Sequence, residues 1–468
     1  MTTFLKKITR FLGDNEWIDA SNSNLWSRDW LDKFGEIPIG VAIPSSTNQV
    51  SNILKLCYNY EVSVIPQGGN TSLVGGSVSN KKGGLILSMS RMNDISSPDL
   101  IGRSVEVGSG VILENLHKEL KKSNMILPMH LGSQGSAQIG GLISTNAGGT
   151  HAFKYGMMQD LVLGMEVVLP GGQVWNGMRS VQKDNTGYQL RKIFCGAEGS
   201  LGVITKAILK LTPAPKKQIT ALVSFNDINS LIKVASNIRS EIDEFITAIE
   251  FFSDSGLKMI EKHISGFSIP IRNRASFYLL LEASTSTEKI SLESIFSFAL
   301  EKAMKGEDHV DAIVALTNKQ RAQLWRLRED QPEGQRLSGA QLKHDISVPP
   351  AHIQSFLETA NKNCQRILKG VRINAFGHIG DGNIHYNISP PTGKKDFLNT
   401  DKDFELMIAK LAAELGGSFA AEHGIGTSKV DLAETLRDYQ ERDIMRSIKR
   451  SFDQKALLNP GVVVHEKD

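Results

Sequence analysis

Three stretches decide how the first part of this sequence folds: residues 66–76 (PQGGNTSLVGG), 132–149 (GSQGSAQIGGLISTNAGG) and 196–202 (GAEGSLG). The first directly follows VSVIP, a short run that reads as a buried strand. Consecutive glycines let backbone N–H groups turn toward one anion, and Asn70, Thr71 and Ser72 add short side-chain donors. Any one such loop reads equally well as a set of tight turns. Three in one domain, each mixed with Ser, Thr or Asn, point to a long phosphate-bearing ligand. No GxGxxG follows a strand and no GxxxxGK[ST] occurs, which disfavours a nicotinamide-binding Rossmann domain and a P-loop NTPase.

Around these loops, residues 36–213 read as alternating helix and strand. After Pro44, Thr47 opens a helix with Val50, Ile53, Leu54 and Cys57 on one face. Further strands are expected at 85–89, 104–107, 161–169 and 203–211. TPAPKK, residues 212–217, is the clearest linker, because two prolines and two lysines should break any regular element. Beyond it glycine thins out. Helical patterns at 228–238 and 290–304 alternate with strands at 221–225 and 277–283, which is an α+β domain. From about residue 416 the chain is again glycine-rich, then helical to Lys455. The expected division is a helical segment 1–35, a glycine-loop domain 36–213, a second domain 214–415 and a C-terminal segment 416–468. In the first segment Phe4, Leu5, Ile8, Phe11 and Leu12 recur at helical spacing. A docked amphipathic helix is favoured there over a membrane-surface helix, since no basic cluster accompanies it.

Length and composition agree with this division. A chain of 468 residues exceeds one ordinary core, and 40% hydrophobic with 22% charged residues fits a globular protein. A net charge of +3 gives no case for nucleic-acid binding. Cys57, Cys195 and Cys364 lie far apart, form no CxxC pair, and read as buried apolar residues of a protein in a reducing compartment, with a cytoplasmic location expected. No apolar run approaches the roughly 20 residues that span a bilayer, and MTTFLKKITRFLGDNEW carries no small-residue cleavage site.

A second constellation is NAFGHIGDGNIHYNI, residues 374–388. Asp381-Gly382 is a strong two-residue hairpin signal. A turn closing there sets His378 directly opposite His385, with Cβ atoms about 4.5–5.5 Å apart. Two imidazoles on one face at that separation can bind one metal ion. Glu422 and His423 follow in AAEHGIGTSK, and neighbours on an extended segment point to opposite sides. One can complete a metal site while the other faces a substrate. Two His and one carboxylate suit zinc, with manganese or iron(II) also open. Residues 324–349, LWRLREDQPEGQRLSGAQLKHDISVP, contribute Arg328, a fork matched to carboxylates, and Lys343, a compact charge. Trp325 reads as core and His344 as structural.

The glycine loops, the run KDNTGY (183–188) and the strand VITKAILKL resemble the PCMH-type, or vanillyl-alcohol oxidase-type, FAD-binding domain. GHxGDGNxHxN with EHGIG resembles the FAD-linked oxidase C-terminal family. That family includes D-lactate dehydrogenases, glycolate oxidase flavin subunits and D-2-hydroxyglutarate dehydrogenases, and the sequence is most similar to the last group. The resemblance implies an α+β fold: a two-subdomain PCMH-type FAD-binding domain, a substrate (cap) domain with a mixed or antiparallel sheet, and a helical C-terminal segment packing back near the flavin.

It also implies FAD-binding roles for Pro66, Gly68, Gly69, Asn70, Thr71, Ser72, Gly75, Gly76, Gly132, Ser133, Gly140, Gly141, Asn146, Gly148, Gly149, Gly202, Val203 and Ile204. The FAD is expected to be non-covalent, because the first loop has no histidine. His378, His385 and Glu422 would be metal ligands and His423 the base. Arg328 and Lys343 would bind carboxylates, with Asn387 supporting the substrate. Four residues after the arginine such dehydrogenases carry a threonine, whereas this sequence has Pro332. The activity so implied is oxidation of a D-2-hydroxy acid to the 2-oxo acid, with proton removal by His423, metal assistance at the hydroxyl, and hydride transfer to flavin N5. D-2-hydroxyglutarate is the expected acid, with D-lactate or glycolate as alternatives. A non-catalytic electron-relay flavoprotein and a metal-dependent hydrolase are the competing classes. No iron–sulfur cysteine pattern exists, so electrons are expected to leave to a separate electron-transfer flavoprotein, quinone or cytochrome. A homodimer is plausible.

Overall fold

The computed structural model describes residues 1–13 and 15–465. Within it the face formed by Val50, Ile53, Leu54 and Cys57 becomes the buried side of the helix Thr47–Tyr60. The Ser46 side chain accepts the Gln49 N–H at its start, and Glu61 in the left-handed region ends it. This helix packs in a core shared with Phe4 and Ile8 of the first helix, Thr2–Phe11, as a docked amphipathic helix requires.

The chain divides into two compact units. The first comprises Met1–Gly149, Tyr155–Ala214 and the segment from Glu422. It holds two four-stranded sheets. One runs Trp17–Asp19, Gly40–Ala42, Leu85–Ser88, Val64–Gln67, with the last three strands parallel. The other is antiparallel and runs Ser104–Gly108, Val203–Lys210, Val162–Val168, Val174–Gly177.

Three sequence expectations change here. Thr212–Pro213 does not break all regular structure but pairs with Met125–Ile126. A two-residue edge ladder tolerates a proline, which lacks only the N–H that an edge leaves unpaired. The C-terminal helix does not run unbroken to Lys455. Asp438 caps a fresh helix, Tyr439–Phe452, after Val430–Leu436 has ended. Cys57 and Cys364 are buried, whereas Cys195 is only half-buried, although burial still pushes its thiol up to about 12.

The second unit comprises Thr150–Lys154 and Pro215–Ala421. Its antiparallel sheet has seven strands in the order Asp311–Val314, Lys217–Phe225, Phe277–Thr285, Ile246–Ser253, Arg372–His378, Asn383–Ser389, Leu342–Ser347. One face is apolar and packs the helices Ile228–Ile242, Leu292–Met304, Ile353–Ile367 and Asp401–Glu414. The other meets Leu257, Ile260, Leu324, Trp325 and Leu327 from Asp254–His263 and Asn318–Glu329. On that side Glu282, fully buried, accepts from Thr220 Oγ1, Trp325 Nε1 and the Arg321 guanidinium. Burying a carboxylate is tolerated only with donors of this kind. Among the described residues no helix is long and apolar enough to cross a membrane.

The histidine hairpin closes differently from the two-residue turn expected at Asp381-Gly382. His378 pairs with Asn383, and Phe376 with His385. The loop is the four residues 379–382, with the Asp381 and Gly382 N–H groups donating to His378 O. A two-residue type I′ turn needs positive φ at both central positions. Gly382 takes it, at +84°, but Asp381 does not. A shift of two residues preserves the face, so His378 and His385 become diagonal neighbours rather than opposite ones. A Cβ at Gly382 would lie 2.0 Å from Val348 O. Gly382→Ala should therefore destabilise the protein by about 1–3 kcal/mol from backbone strain alone, read as a lowered thermal midpoint; an unchanged midpoint would refute this turn geometry.

Candidate functional site

Strand alternation assembles the candidate residues of the second unit. Across four neighbouring strands the register aligns Glu250, His378, Asn383 and Ser347 in one row. The next row is Phe252, Phe376, His385 and Asp345, and a third holds Asn374, Asn387 and Lys343. All lie on one face, opposite the one that carries Ile249, Phe251, Ala375, Ile384 and Tyr386 into the larger core. The helix Asn318–Glu329 supplies Arg328 near its end, with the guanidinium 4.8 Å from the centre of the Phe376 ring.

Glu250 binds this group together. Its Oε2 lies 2.8 Å from Arg328 Nε and its Oε1 2.6 Å from His378 Nδ1. All three residues are buried. Removing one partner of such a pair strands the other charge out of water, at a cost of about 3–5 kcal/mol. The second imidazole has a similar companion: His385 Nδ1 is 3.6 Å from Asp345 Oδ1, which also accepts from Asn383 Nδ2 at 2.9 Å. The His378 and His385 rings are 5.6 Å apart and nearly perpendicular. Two imidazoles on one face, each with a carboxylate on the Nδ1 side, present Nε2 atoms, the arrangement usual for histidines that hold a metal. His344 turns to the other face, where its Nδ1 meets Tyr386 O at 2.9 Å. Pro332 is exposed in the first turn of the helix Gln331–Leu337.

Glu422 and His423 begin the return of the chain to the first unit. The residue before them, Ala421, donates its N–H to Asp345 O. In the first unit each glycine loop touches the EHGIG segment. Val74 O of the first loop accepts the Thr427 and Ser428 N–H groups. Gly149 at the end of the second donates its N–H to Glu422 Oε1 at 2.9 Å. Glu198 of the third accepts the Ile425 and Gly426 N–H groups, both at 2.8 Å.

The loops also pack tightly on one another: a Cβ at Gly69 would fall 1.9 Å from Ser136 O. Gly132 and Gly141 instead border open space, where an added Cβ would meet nothing within 4 Å. Buried Oε1 atoms of Gln134 and Gln138 in the same loop have no hydrogen-bond partner among the described residues. An open cradle with orphaned polar atoms fits a long polar cofactor such as FAD. Asn70 departs from its expected part as a side-chain donor to the ligand. Its Nδ2 donates to Arg28 O and its Oδ1 accepts from Ser77 Oγ, so its own contribution is a left-handed backbone, at φ +52°.

Glu250, Asp345, Asn383 and Glu198 are the residues that sequence reasoning missed. A lone acid inside the apolar run ITAIEFFS was a signal for Glu250, because a buried charge requires partners.

Comparison with known proteins follows these two sets of residues. Residues 38–177 match a model described as FAD binding domain, and residues 214–463 match FAD linked oxidases, C-terminal domain. The chain is 33% identical to the mitochondrial D-2-hydroxyglutarate dehydrogenase of Arabidopsis thaliana, across 96% of this chain and 78% of that protein. It is 35% identical to the Danio rerio protein of the same name, across 96% and 82%. Substrate-bound p-cresol methylhydroxylase superposes with a TM-score of 0.76 at 17% identity, covering 98% of this chain and 96% of that one, a likeness of fold.

The contact between the third glycine loop and EHGIG has a pH signature. Burial pushes the Glu198 carboxyl up to about 7, and the N–H groups of Ile425 and Gly426, with Lys429, pull it part of the way back. Between the unfolded carboxyl value of 4.5 and about 7 the folded chain therefore holds the extra proton, so this group's contribution to stability falls as pH rises through that window. The stability gap between the native protein and Glu198→Gln should be larger at pH 5 than at pH 7.5 in thermal unfolding. A gap that widens toward pH 7.5 would contradict it.

Proposed function

The chain belongs to the FAD-linked oxidase family, and from that premise we propose that it oxidises a D-2-hydroxy acid to the 2-oxo acid, D-2-hydroxyglutarate being the first acid to test. The reading is supported above all by the polar face of the second unit, which carries Lys343 and Asn387 in register beside two carboxylate-backed histidines, with Arg328 on the carboxylate of one of them. Two cations suit a diacid: a guanidinium meets a carboxylate as a fork, and an ammonium meets one as a point charge. Arg328 engages Glu250 through Nε, and its Nη edge is the side that suits a substrate carboxylate. The names of relatives more than 30% identical over most of this chain point to the same acid. Pro332, without the hydroxyl that the family resemblance leads one to expect, keeps D-lactate and glycolate in the test.

FAD, held non-covalently by the glycine loops, would supply the redox chemistry. His378, His385 and Glu422 are the residues proposed to hold a divalent metal, zinc by preference, whose charge would acidify the 2-hydroxyl. His423 is the proposed base: a neutral imidazole is able to take that proton near neutral pH. Asn387 would orient the acid, and a separate protein or quinone would collect the electrons.

Anaerobic addition of D-2-hydroxyglutarate, D-lactate and glycolate to the purified, FAD-loaded protein tests the reading. Bleaching by D-2-hydroxyglutarate is expected; bleaching by none of the three would overturn the proposed reaction. His423→Ala should keep its flavin spectrum and lose about 10²–10⁴-fold in turnover. Undiminished turnover in that variant would remove the base assignment.

A further inference from the structure

We propose that Glu250 is a positioning residue that acts on two groups at once: it fixes the tautomer of His378 and the aim of Arg328. The inference deepens the proposed function and rests on it for the ligands concerned. An ionised carboxylate accepts hydrogen bonds and donates none. At 2.6 Å from Glu250 Oε1, His378 Nδ1 must therefore carry the proton. In the neutral ring that leaves Nε2 with its lone pair, the atom a metal ion would take. The other oxygen of the same carboxylate takes Arg328 Nε at 2.8 Å, which turns the guanidinium over the Phe376 ring and reserves its Nη edge for an anion.

Backbone pairing enforces the geometry. Glu250 and His378 are register partners on adjacent strands, so their side chains rise from one face side by side. Glutamine cannot reproduce the arrangement. Its single carbonyl oxygen can accept from His378 or from Arg328, and its NH₂ then confronts the remaining donor.

A purely structural role predicts something different, and Glu282 provides the matched control. It is another fully buried carboxylate of the same sheet, held by Thr220, Arg321 and Trp325, none of them assigned to the site. Zinc affinity would be measured by competition with a chromophoric chelator, and KM and kcat with the acid that bleaches the native protein. Glu250→Gln should bind zinc about 10–100-fold more weakly and raise KM for the acid. Glu250→Asp should recover part of both. Glu282→Gln should lower the thermal midpoint while leaving zinc affinity and KM unchanged.

The native protein gives a test that needs neither variant to fold. Nitrogen-15 NMR of its imidazoles, with the His378 signals identified by their loss in His378→Asn, should report an Nδ1-protonated ring. An Nε2-protonated His378, or zinc affinity and KM in Glu250→Gln equal to those of the native protein, would overturn the proposal. The tautomer is read without metal or substrate, so it separates this inference from the proposed function. A native protein that binds no zinc but shows the Nδ1 tautomer would refute the metal reading and retain Glu250 as the group that orients His378.

Discussion

A carboxylate removed from water has to be met by donors, and Glu250 turns that requirement into architecture. It lies in the middle of a seven-stranded sheet where an apolar residue would pack at no electrostatic cost. Its presence obliges a cation and an imidazole to converge on it, and the sheet register supplies the imidazole from the adjoining strand. Arg328 is then held at the end of a helix whose Leu324, Trp325 and Leu327 are anchored in the core, so the charge rides on a rigid element. The polar face of this unit is thus organised by a desolvation penalty as much as by apolar packing. Glu282 applies the same rule a few residues away, where only the helix and the sheet depend on it.

The first unit meets a comparable problem with backbone instead of side chains. EHGIG is too rich in glycine to hold a shape of its own. Each of the three glycine loops makes at least one hydrogen bond to it or to the two residues that follow it, through Val74 O, the Gly149 N–H and the Glu198 carboxyl. Glycines elsewhere in these loops permit close approach or leave room. Gly69 lies against Ser136, while Gly132 and Gly141 border empty space. Glycine density in the sequence therefore serves both to pack loops together and to leave a cradle between them.

Much of this was legible in the residues. Apolar periodicity marked a helix opening at Thr47 and its four buried positions, and the glycine-rich runs marked the loops that meet EHGIG. The histidines were recognisable as a same-face pair because strand parity survives a two-residue slip. The register itself was not legible. Asp-Gly reads as a two-residue turn until the fold withholds positive φ from Asp381. Pro213 looked like a breaker because local propensity cannot know that a two-residue edge lies opposite. Glu250 and Glu198 escaped for a different reason. Their meaning depends on partners 78 and 128 positions away in one case and more than 220 in the other, and no local pattern encodes such pairs.

The interrupted course of the first unit bears on the order in which the protein is made. Its sheets are complete by residue 214, yet the segment that its loops bind emerges only after the whole second unit has been synthesised. Until then the Glu198 carboxyl lacks the Ile425 and Gly426 amides, and the Val74 carbonyl lacks those of Thr427 and Ser428. A nascent first unit must wait, with its loops unclosed, while more than two hundred residues leave the ribosome. Loop closure over such a span costs entropy that grows only slowly with length, but the wait itself is long. The second unit, continuous except for Thr150–Lys154, faces no such delay. Folding on the ribosome is therefore staggered: the later-made unit is able to finish first, and the earlier-made one is locked by its own last stretch of chain.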